Sequence, residues 1–274
     1  MPLFTVDPDK CNRDGICVAE CPIKIIELKD KNSVPVPVAG ADELCINCGH
    51  CVAVCPTAAL SLKRMPPDQC PPVKKEWLLN ADQAEHFLRH RRSIRTYKKQ
   101  AVDREMLSRL IKIASYAPSG HNTQPVCWHV IYDKDELHRQ TGMVVDWMRY
   151  MIKEQPDMAA KMHLELVVGA WDFGVDVVCR DAPHLIVAHG LQSDRTAPAA
   201  CTIAMTYLEL AAPSLELGTC WAGFFSAAAM FWPPLQKALG LPDGHMCYAA
   251  AMVGYPKYKY HRMPLRDAPQ VTWV

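Results

Sequence analysis

Apolar positions between residues 100 and 254 follow helical spacing in some stretches and form short continuous runs in others. One helix is predicted after Asp103, a candidate N-cap, and another over 198–212. The apolar face of the first helix comprises Leu107, Leu110, Ile111 and Ala114. Continuous apolar runs at 126–132, 184–188 and 246–253 predict buried strands. Strands interleaved with helices indicate a layered fold of the α/β or α+β class.

A proline-rich segment divides the chain. Residues 65–80 contain two Pro–Pro pairs, and consecutive prolines block both a helix and a central strand. We therefore predict an extended linker over 65–80. It separates a first domain over residues 1–64 from a second domain over residues 81–274.

Charge and composition exclude several classes of function. The formal net charge is +1 with acids and bases interspersed, so no basic surface for nucleic acid or an anionic membrane is predicted. The first residues lack the basic and apolar pattern of a secretory signal. The charge-free stretch 217–236 is long enough to span a bilayer, but its glycines and prolines favour a buried core around a ligand site. We expect a cytoplasmic protein that does not enter a membrane.

Thirteen cysteines are the strongest compositional signal, and seven of them lie in the first fifth of the chain. Without an export signal, clustered cysteines indicate metal before disulfides. The run Cys45-x2-Cys48-x2-Cys51-x3-Cys55-Pro56 has the full spacing of a bacterial two-cluster ferredoxin, whose fourth cysteine crosses to the other cluster. We expect that cysteine to stand on a helix beginning near the proline. A zinc site, the alternative, would leave three of the seven cysteines without metal. The six scattered cysteines are expected to pack as small hydrophobes.

The earlier cysteine group departs from ferredoxin spacing at one position. The run Cys11-x2-Asp14-x2-Cys17-x3-Cys21-Pro22 carries an aspartate where the second cysteine is expected. The predicted ligand sets are Cys45, Cys48, Cys51 and Cys21 for one cluster, and Cys11, Asp14, Cys17 and Cys55 for the other. Because Asp-Gly is a common turn pair, a solvated turn is the alternative role for Asp14. An oxygen donor holds iron less firmly than thiolate, so with Asp14 facing iron we expect interconversion between 4Fe-4S and 3Fe-4S forms.

Two further segments have the composition of a ligand site. Residues 91–95, RRSIR, place three guanidinium groups and a hydroxyl close together, and arginine forks suit phosphate. A solvated helix end is the alternative. Residues 117–125, APSGHNTQP, form a turn rich in Pro, Gly, Ser and Asn just before a predicted strand.

With these residues the sequence resembles the nitroreductase family of FMN-dependent oxidoreductases. The matching pieces, in family order over roughly residues 85–274, are RRSIR at 91–95, Ala117-Pro118-Ser119 with Asn122, Gln124 and Pro125, Leu217-Gly218-Thr219-Cys220-Trp221, Gly254-Tyr255-Pro256, and Arg262-Met263-Pro264-Leu265. The whole chain resembles a ferredoxin–nitroreductase fusion. The resemblance implies an α+β fold, with a small two-cluster ferredoxin-like domain followed by a nitroreductase-like domain whose central sheet is flanked by helices.

The resemblance also implies residues that bind FMN. The phosphate and ribityl chain would be held by Arg91, Arg92, Ser93 and Arg95, with Arg262 closing on the phosphate. The isoalloxazine would be lined by Thr219, Cys220, Trp221 and Gly223, with a backbone N–H near Gly223 facing N5. In a homodimer with exchanged termini, the partner subunit would contribute Pro118, Ser119 and Asn122. Some members of the family are basic two positions before Arg262; here Tyr260 stands there, next to Lys259.

Other motifs add little. There is no dinucleotide fingerprint or P-loop, and none of the eleven histidines is spaced along the sequence as a metal pair. His184 and His189 flank a predicted strand and are expected to be structural, while Cys220 has no partnered base and is expected to pack. The Met-rich lid region 138–178, with Trp147 and Trp171, would set the substrate. Ordinary packing is the alternative role of its Met and Trp side chains.

The sequence therefore predicts an iron–sulfur flavoprotein oxidoreductase. Electrons would enter at the two clusters, pass to FMN, and leave to a small organic acceptor such as a nitroaromatic or quinone. The external donor would be a reduced ferredoxin, or NAD(P)H stacking directly on the flavin. The alternatives are a non-catalytic electron carrier or redox sensor, or a chain whose second domain has lost FMN. The catalytic residues and the physiological substrate stay unassigned.

Overall fold

The computed structural model describes residues 2–274 and divides them into two compact units. The first unit runs to Leu78 and includes residues 121–123, and the second comprises 79–120 and 124–274. The segment predicted as a linker is irregular. It contains two short 3-10 turns, Pro67–Gln69 and Lys75–Trp77, and most of its side chains are exposed.

The first unit is built from short elements around a small apolar core. In chain order they are β1 (Phe4–Val6), α1 (Ile16–Glu20), β2 (Ile26–Glu27), β3 (Val36–Pro37), α2 (Ala41–Leu44), α3 (His50–Ala53) and β4 (Leu60–Leu62). Strands β1 and β4 pair antiparallel, as do β2 and β3. The core includes Phe4, Ile25, Ile26 and Leu60 together with the buried thiols of Cys17, Cys21 and Cys51.

The second unit is a four-stranded sheet with helices on both faces. Its helices are α4 (Ala81–His90), α5 (Arg104–Ala114), α6 (Lys134–Glu154), α7 (Pro156–Lys161), α8 (Leu164–Asp172), α9 (Ala197–Ala211), α10 (Gly223–Phe231) and α11 (Pro233–Leu239). Its strands are β5 (Cys127–Ile131), β6 (His184–Leu191), β7 (Gly218–Trp221) and β8 (His245–Gly254). The strand order is β5-β6-β8-β7, and every neighbouring pair is antiparallel.

The two faces of the sheet bury different cores. Alternate residues of β6 point to opposite faces, so Ile186 and Ala188 pack with α5 and α9, whereas Leu185 and Val187 pack with α6, α8, α10 and α11. Both faces of β6 and β8 are covered, which explains why their sequences are continuous apolar runs rather than alternating patterns. This arrangement confirms the predicted α+β class.

The predicted helices and strands occur close to their expected bounds, with three differences. Asp103 precedes α5, but its side chain makes no capping hydrogen bond. Strand β6 continues to Leu191, beyond the predicted end at 188. The expectation of a helix beginning near Pro56 is wrong, because Cys55 follows the end of α3 and enters a turn instead.

The charge-free stretch 217–236 forms β7, α10 and the start of α11, and much of it is buried. Across residues 2–274, the helices are all too short or too polar to cross a bilayer. The Met-rich region 138–178 contributes Trp147 and Met148 to the core, in keeping with ordinary packing of those two side chains.

Close backbone packing at the end of β8 gives a test of this fold. A β-carbon at Gly254 would lie 2.7 Å from Cγ of Pro183 and 2.9 Å from Cδ1 of Tyr97. We expect Gly254→Ala to destabilise the second unit by about 1–3 kcal/mol through overpacking. The thermal midpoint of the anaerobically prepared protein measures this, at about 2–4 °C per kcal/mol.

Gly169→Ala is the matched control, because no neighbouring atom lies within 4 Å of the β-carbon position in α8. Alanine also favours a helix over glycine, so the control midpoint should stay unchanged or rise. An equal fall in both variants would contradict the packing argument.

Candidate functional site

Four cysteines from both halves of the first unit line one cavity. They are Cys21, Cys45, Cys48 and Cys51, the set predicted for one cluster. The rest of the wall is largely apolar and includes Leu3, Phe4, Ile23, Ile25, Ile26, Ile46 and Leu62. Burial raises the pKa of the Cys51 thiol to about 11.

A second cavity is lined by the other predicted set. Its wall includes Cys11, Asp14, Cys17 and Cys55, together with Asn12, Thr57 and Pro35. Burial also raises the pKa of the Cys17 thiol. At Cys55 burial acts in the same direction, but hydrogen bonds from backbone N–H groups outweigh it and lower the pKa of this thiol. One of these bonds runs from the Ala59 N–H to Cys55 Sγ at 3.2 Å.

The backbone around Asp14 matches the backbone around Cys48, 34 residues later. Arg13 and Gly15 have φ of 58° and 71°, and Asn47 and Gly49 have φ of 51° and 74°. Positive φ is uncommon outside glycine. Two residues with positive φ, one of them a glycine directly before a short helix, are therefore a specific local structure, and both loops have it. Asp14 and Cys48 therefore occupy equivalent positions in two copies of one loop.

The Asp14 carboxylate has a local role as well. Its Oδ1 accepts a hydrogen bond from the Ile16 N–H at 3.1 Å, and the residue is exposed. Cys48 is partly buried by comparison. The structure thus places Asp14 at the edge of the second cavity while one of its oxygens supports the start of α1.

The arginine segment lies beside a large open cavity in the second unit. Helix α4 begins with a capping box between Asn80 and Gln83 and ends at His90, which brings Arg91 and Arg92 to the cavity wall. The cavity measures about 760 Å³. Its cationic side chains are Arg91, Arg92, Lys98, Lys257, Lys259 and Arg262, and its acidic ones are Glu209 and Glu216. The excess of cations makes it suitable for an anionic ligand.

One arginine in this wall has an unused donor. Nη2 of Arg92 donates to the carbonyl of Arg89 at 2.8 Å, but the buried Nε of Arg92 has no hydrogen-bond partner. A buried donor without a partner is costly, so it marks a position where a ligand oxygen would be stabilised.

Glu209 connects two parts of the predicted site and was missed from the sequence. Its Oε1 accepts from Arg91 Nη1 at 2.9 Å, and its Oε2 accepts from Trp221 Nε1 at 3.1 Å. The carboxylate is 9% exposed and the Arg91 side chain 25% exposed. Glu209 could have been singled out in the sequence, because it is the single charged residue in the apolar helix predicted over 198–212.

The structure does not bring all predicted flavin residues together within one chain. Thr219 lines the arginine cavity, and Ser93 Oγ accepts from Arg91 Nη1 at 3.3 Å. Arg95 is exposed and does not line that cavity. Pro118 and Ser119 line a separate cavity with Gln124 and Trp128. Residues 121–123 belong to the first unit, where the Asn122 amide donates to the carbonyl of Asn47 at 2.9 Å.

The remaining predicted residues lie near the start of α10. Gly223 is the first residue of this helix, where backbone N–H groups have no acceptor within the helix. Cys220 is 5% exposed, and its pKa is raised mainly by burial, against the opposing effect of Arg95 and Arg180. A buried neutral thiol agrees with packing rather than nucleophilic chemistry for Cys220.

The two histidines on β6 have different surroundings. His184 is structural, as expected: its Nε2 accepts from the Val102 N–H at 2.9 Å, and its Nδ1 lies 2.7 Å from the Tyr132 carbonyl. His189 instead contacts His245, with 2.9 Å between their Nδ1 atoms. Burial, then the nearby His245 and His129, lower the pKa of His189 to about 4.

Comparison with known proteins identifies a different family model for each of two parts of the chain. Residues 88–255 match the model of the nitroreductase family, and residues 4–56 match the model of the 4Fe-4S dicluster domain. The predicted fusion of a ferredoxin-like domain with a nitroreductase-family domain is thereby confirmed.

Individual relatives match one domain or the other. Over 168 residues the chain is 26% identical to a putative NADH dehydrogenase/NAD(P)H nitroreductase of Archaeoglobus fulgidus, covering 61% of this chain and 82% of that protein. Over 31 residues it is 55% identical to Ferredoxin-1 of Nitratidesulfovibrio vulgaris, covering 11% and 50%. The structure resembles a nitroreductase with bound FMN from Bacteroides fragilis, with a TM-score of 0.60 and 20% identity over 72% of this chain and 100% of that one.

The equivalence of Asp14 and Cys48 can be tested by exchanging the two residue types. We expect the wild-type protein to lose about one iron per chain on exposure to air, because an oxygen ligand holds one iron weakly. Asp14→Cys should abolish this loss, and Cys48→Asp should introduce it at the other cluster. EPR spectra and iron content before and after air exposure measure both effects. Two stable, indistinguishable four-iron signals in the wild type would contradict an iron-facing Asp14.

Proposed function

This chain belongs to the nitroreductase family and also contains a 4Fe-4S dicluster domain, and we propose that it is an FMN-dependent oxidoreductase. In this proposal, electrons enter through two iron–sulfur clusters and are delivered to a small organic acceptor. The observation that carries the flavin part of the proposal is the cationic cavity with the unpaired Nε of Arg92. The external electron donor is a reduced ferredoxin acting on the clusters, or NAD(P)H stacking directly on the flavin.

The residues of the cavity fit the phosphate end of FMN. A phosphate accepts bidentate hydrogen bonds from guanidinium groups, and Arg92 has a buried N–H available for one. We assign Arg91, Arg92, Ser93 and Arg262 to phosphate and ribityl binding, with Lys257 and Lys259 as further cations. Lys259 and Tyr260 both line the cavity, so a cation remains available beside the position where some family members are basic.

We assign the isoalloxazine to the segment from Thr219 to Gly223. Trp221 is fixed by its bond to Glu209, which also holds Arg91, so a single carboxylate positions groups at both ends of the proposed flavin. The backbone N–H groups at the start of α10 supply fixed donors for charge on the ring. Bound FMN would supply two-electron transfer to a substrate at this place.

The donor sets of the first unit fit iron–sulfur clusters. One cavity offers four sulfur ligands, and the other offers three with the Asp14 carboxylate. Their surroundings differ, because Cys55 of the second set accepts several backbone N–H bonds and Asp14 is exposed, while the wall of the first set is largely apolar and its Cys51 accepts one such bond. Hydrogen bonds to cluster ligands and exposure raise the reduction potential, so we assign the higher potential to the Asp14 site.

Cofactor content and turnover test the proposal together. We expect anaerobically purified protein to contain about eight irons, or about seven where the labile iron is lost, with matching sulfide and one FMN per chain. Turnover with nitroaromatic, quinone and enone acceptors should be supported by reduced ferredoxin or NAD(P)H. A protein that passes electrons rapidly to another protein but reduces none of the acceptors would be a carrier. Protein that lacks flavin absorbance and refuses added FMN would contradict the flavin assignment.

Arg92 gives the sharpest test of the phosphate site. We expect Arg92→Ala to weaken FMN binding about 10–100-fold, because a hydrogen bond to a charged group contributes about 1.5–3 kcal/mol. Fluorescence titration of deflavinated protein with FMN measures the dissociation constant. Arg89→Ala is the matched control, since Arg89 is exposed, pairs with Glu85 and lies outside the cavity wall. Equal affinity in the two variants would remove Arg92 from the site.

We further propose a homodimer in which the C-terminal segment packs on the partner. Leu265 and Trp273 are 90% and 91% exposed in the single chain, although large apolar side chains favour burial. We expect wild-type protein to be dimeric by light scattering, and a Leu265→Ser, Trp273→Ser double variant to shift towards monomer. A monomeric wild type would contradict the proposal, and Met158→Ser, at another exposed apolar residue, is the control.

A further inference from the structure

Three potential metal ligands converge at one end of the central sheet. Cys127 begins β5, His189 lies near the end of β6, and His245 begins β8. The sulfur of Cys127 and one ring nitrogen of each histidine all lie within 4.8 Å of one another. These residues belong to neither cysteine group of the first unit, and they do not line the arginine cavity.

The strand register explains why residues so distant in sequence meet. Cys127 is directly paired with His189 in the antiparallel β5–β6 ladder, so their side chains share one face. His189 is paired with Cys247 on β8, and His245 lies two residues before Cys247. The β6–β8 register shifts between Ala188 and His189, and such an irregularity can re-aim a side chain. The shift falls at His189, the residue that is paired with Cys127 and contacts His245.

The distances require only a small adjustment to bind a tetrahedral ion. Two nitrogens at about 2.0–2.1 Å from zinc lie about 3.3 Å apart in tetrahedral geometry. The Nδ1 atoms of His189 and His245 lie 2.9 Å apart, and their rings meet edge to face at 62°. The two nitrogens therefore need to separate by a few tenths of an ångström. The Cys127 sulfur, within 4.8 Å of both, needs to approach by up to about 1 Å to reach the sulfur–nitrogen spacing of about 3.6 Å in such a site. A proton shared between the imidazoles is the competing explanation of the short contact.

We propose that Cys127, His189 and His245 bind one Zn²⁺ ion, with the fourth coordination position open to water. One thiolate and two imidazoles suit zinc, while Mg²⁺ and Ca²⁺ require oxygen ligands. Three protein ligands and one exchangeable position are the arrangement of reactive rather than purely structural zinc sites. On binding, the Cys127 thiol becomes a thiolate and releases its proton to solvent.

The surroundings provide access and a neighbouring polar group. Cys127 is exposed and His245 half-buried, so an ion can enter from solvent, while His189 is 4% exposed and fixed by the sheet. His129 follows Cys127 by two residues and therefore faces the same side of β5. It lies outside the group of mutually close ligands.

Zinc content and X-ray absorption test this site in the full-length protein with its clusters intact. We expect protein incubated with ZnSO₄ and desalted to retain one zinc per chain. Zinc-edge spectra should give one sulfur at about 2.3 Å, two nitrogens at about 2.0–2.1 Å and one further light atom. Because zinc bridges three strands, it should also raise the thermal midpoint of the wild type.

Matched variants test whether zinc binds at this site or at another thiol of the chain. Cys127→Ser and His245→Gln should each lower zinc affinity at least about 100-fold and remove the thermal shift, because even an outer-shell partner contributes about 10–100-fold. Cys70→Ser, at another exposed cysteine, should behave as wild type. Iron and flavin contents equal to wild type verify that each variant is folded.

Four results would overturn the proposal. The first is zinc bound by three or four sulfurs, which would place the ion on the cluster cysteines. The second is equal zinc retention in wild type and in Cys127→Ser. The third is no zinc retention in wild type, which would leave a shared proton between the two histidines. Retention of copper but not zinc on these ligands would also overturn the choice of ion.

Discussion

The antiparallel pairing of β6 with β8 is the constraint on which the second unit depends. Both strands are covered on both faces, so neither can shift by one residue without moving apolar side chains out of their cores. At one end, Gly218 of β7 pairs with Gly254 of β8. Because Gly218 has no side chain, Ile94 and Pro256 pack directly against its backbone. The Ile94 N–H then bonds to the Thr219 carbonyl at 2.8 Å. The arginines before Ile94 are thereby carried to the cavity.

The same pairing determines what lies at the opposite end of the sheet. There the ladder is irregular, and His189 turns towards His245 rather than continuing the apolar pattern. Strand β6 is buried along most of its length and thus separates two unrelated polar groups, one at each end of the sheet. This separation explains how one small sheet can support a cationic cavity and a group of one cysteine and two histidines without exposing its core.

The sequence predicted those features that depend on local spacing. The cysteine runs predict which residues line each cavity, because each half of the first unit is a short loop, a short helix and a turn. The helices and strands of the second unit follow from their apolar periods. Glu209 and the Cys127–His189–His245 group were missed for the same reason. Their partners lie far away along the chain, and a contact such as Arg91 to Glu209 is determined by how α9 packs and not by any motif. Histidine spacing along the sequence carries no information when three strands supply one ligand each.

The fusion itself has a physical consequence that does not depend on how the two units are arranged. A tethered electron donor meets its acceptor at an effective concentration on the order of millimolar, independent of protein concentration. The segment around residues 65–80 is exposed and contains two Pro–Pro pairs, which limit the conformations available to it. Restriction of this kind reduces the entropy lost at each encounter. Under the proposed electron path, covalent attachment favours transfer within one chain over transfer from a free ferredoxin, and an iron-facing Asp14 would add an oxygen-sensitive step upstream of the flavin.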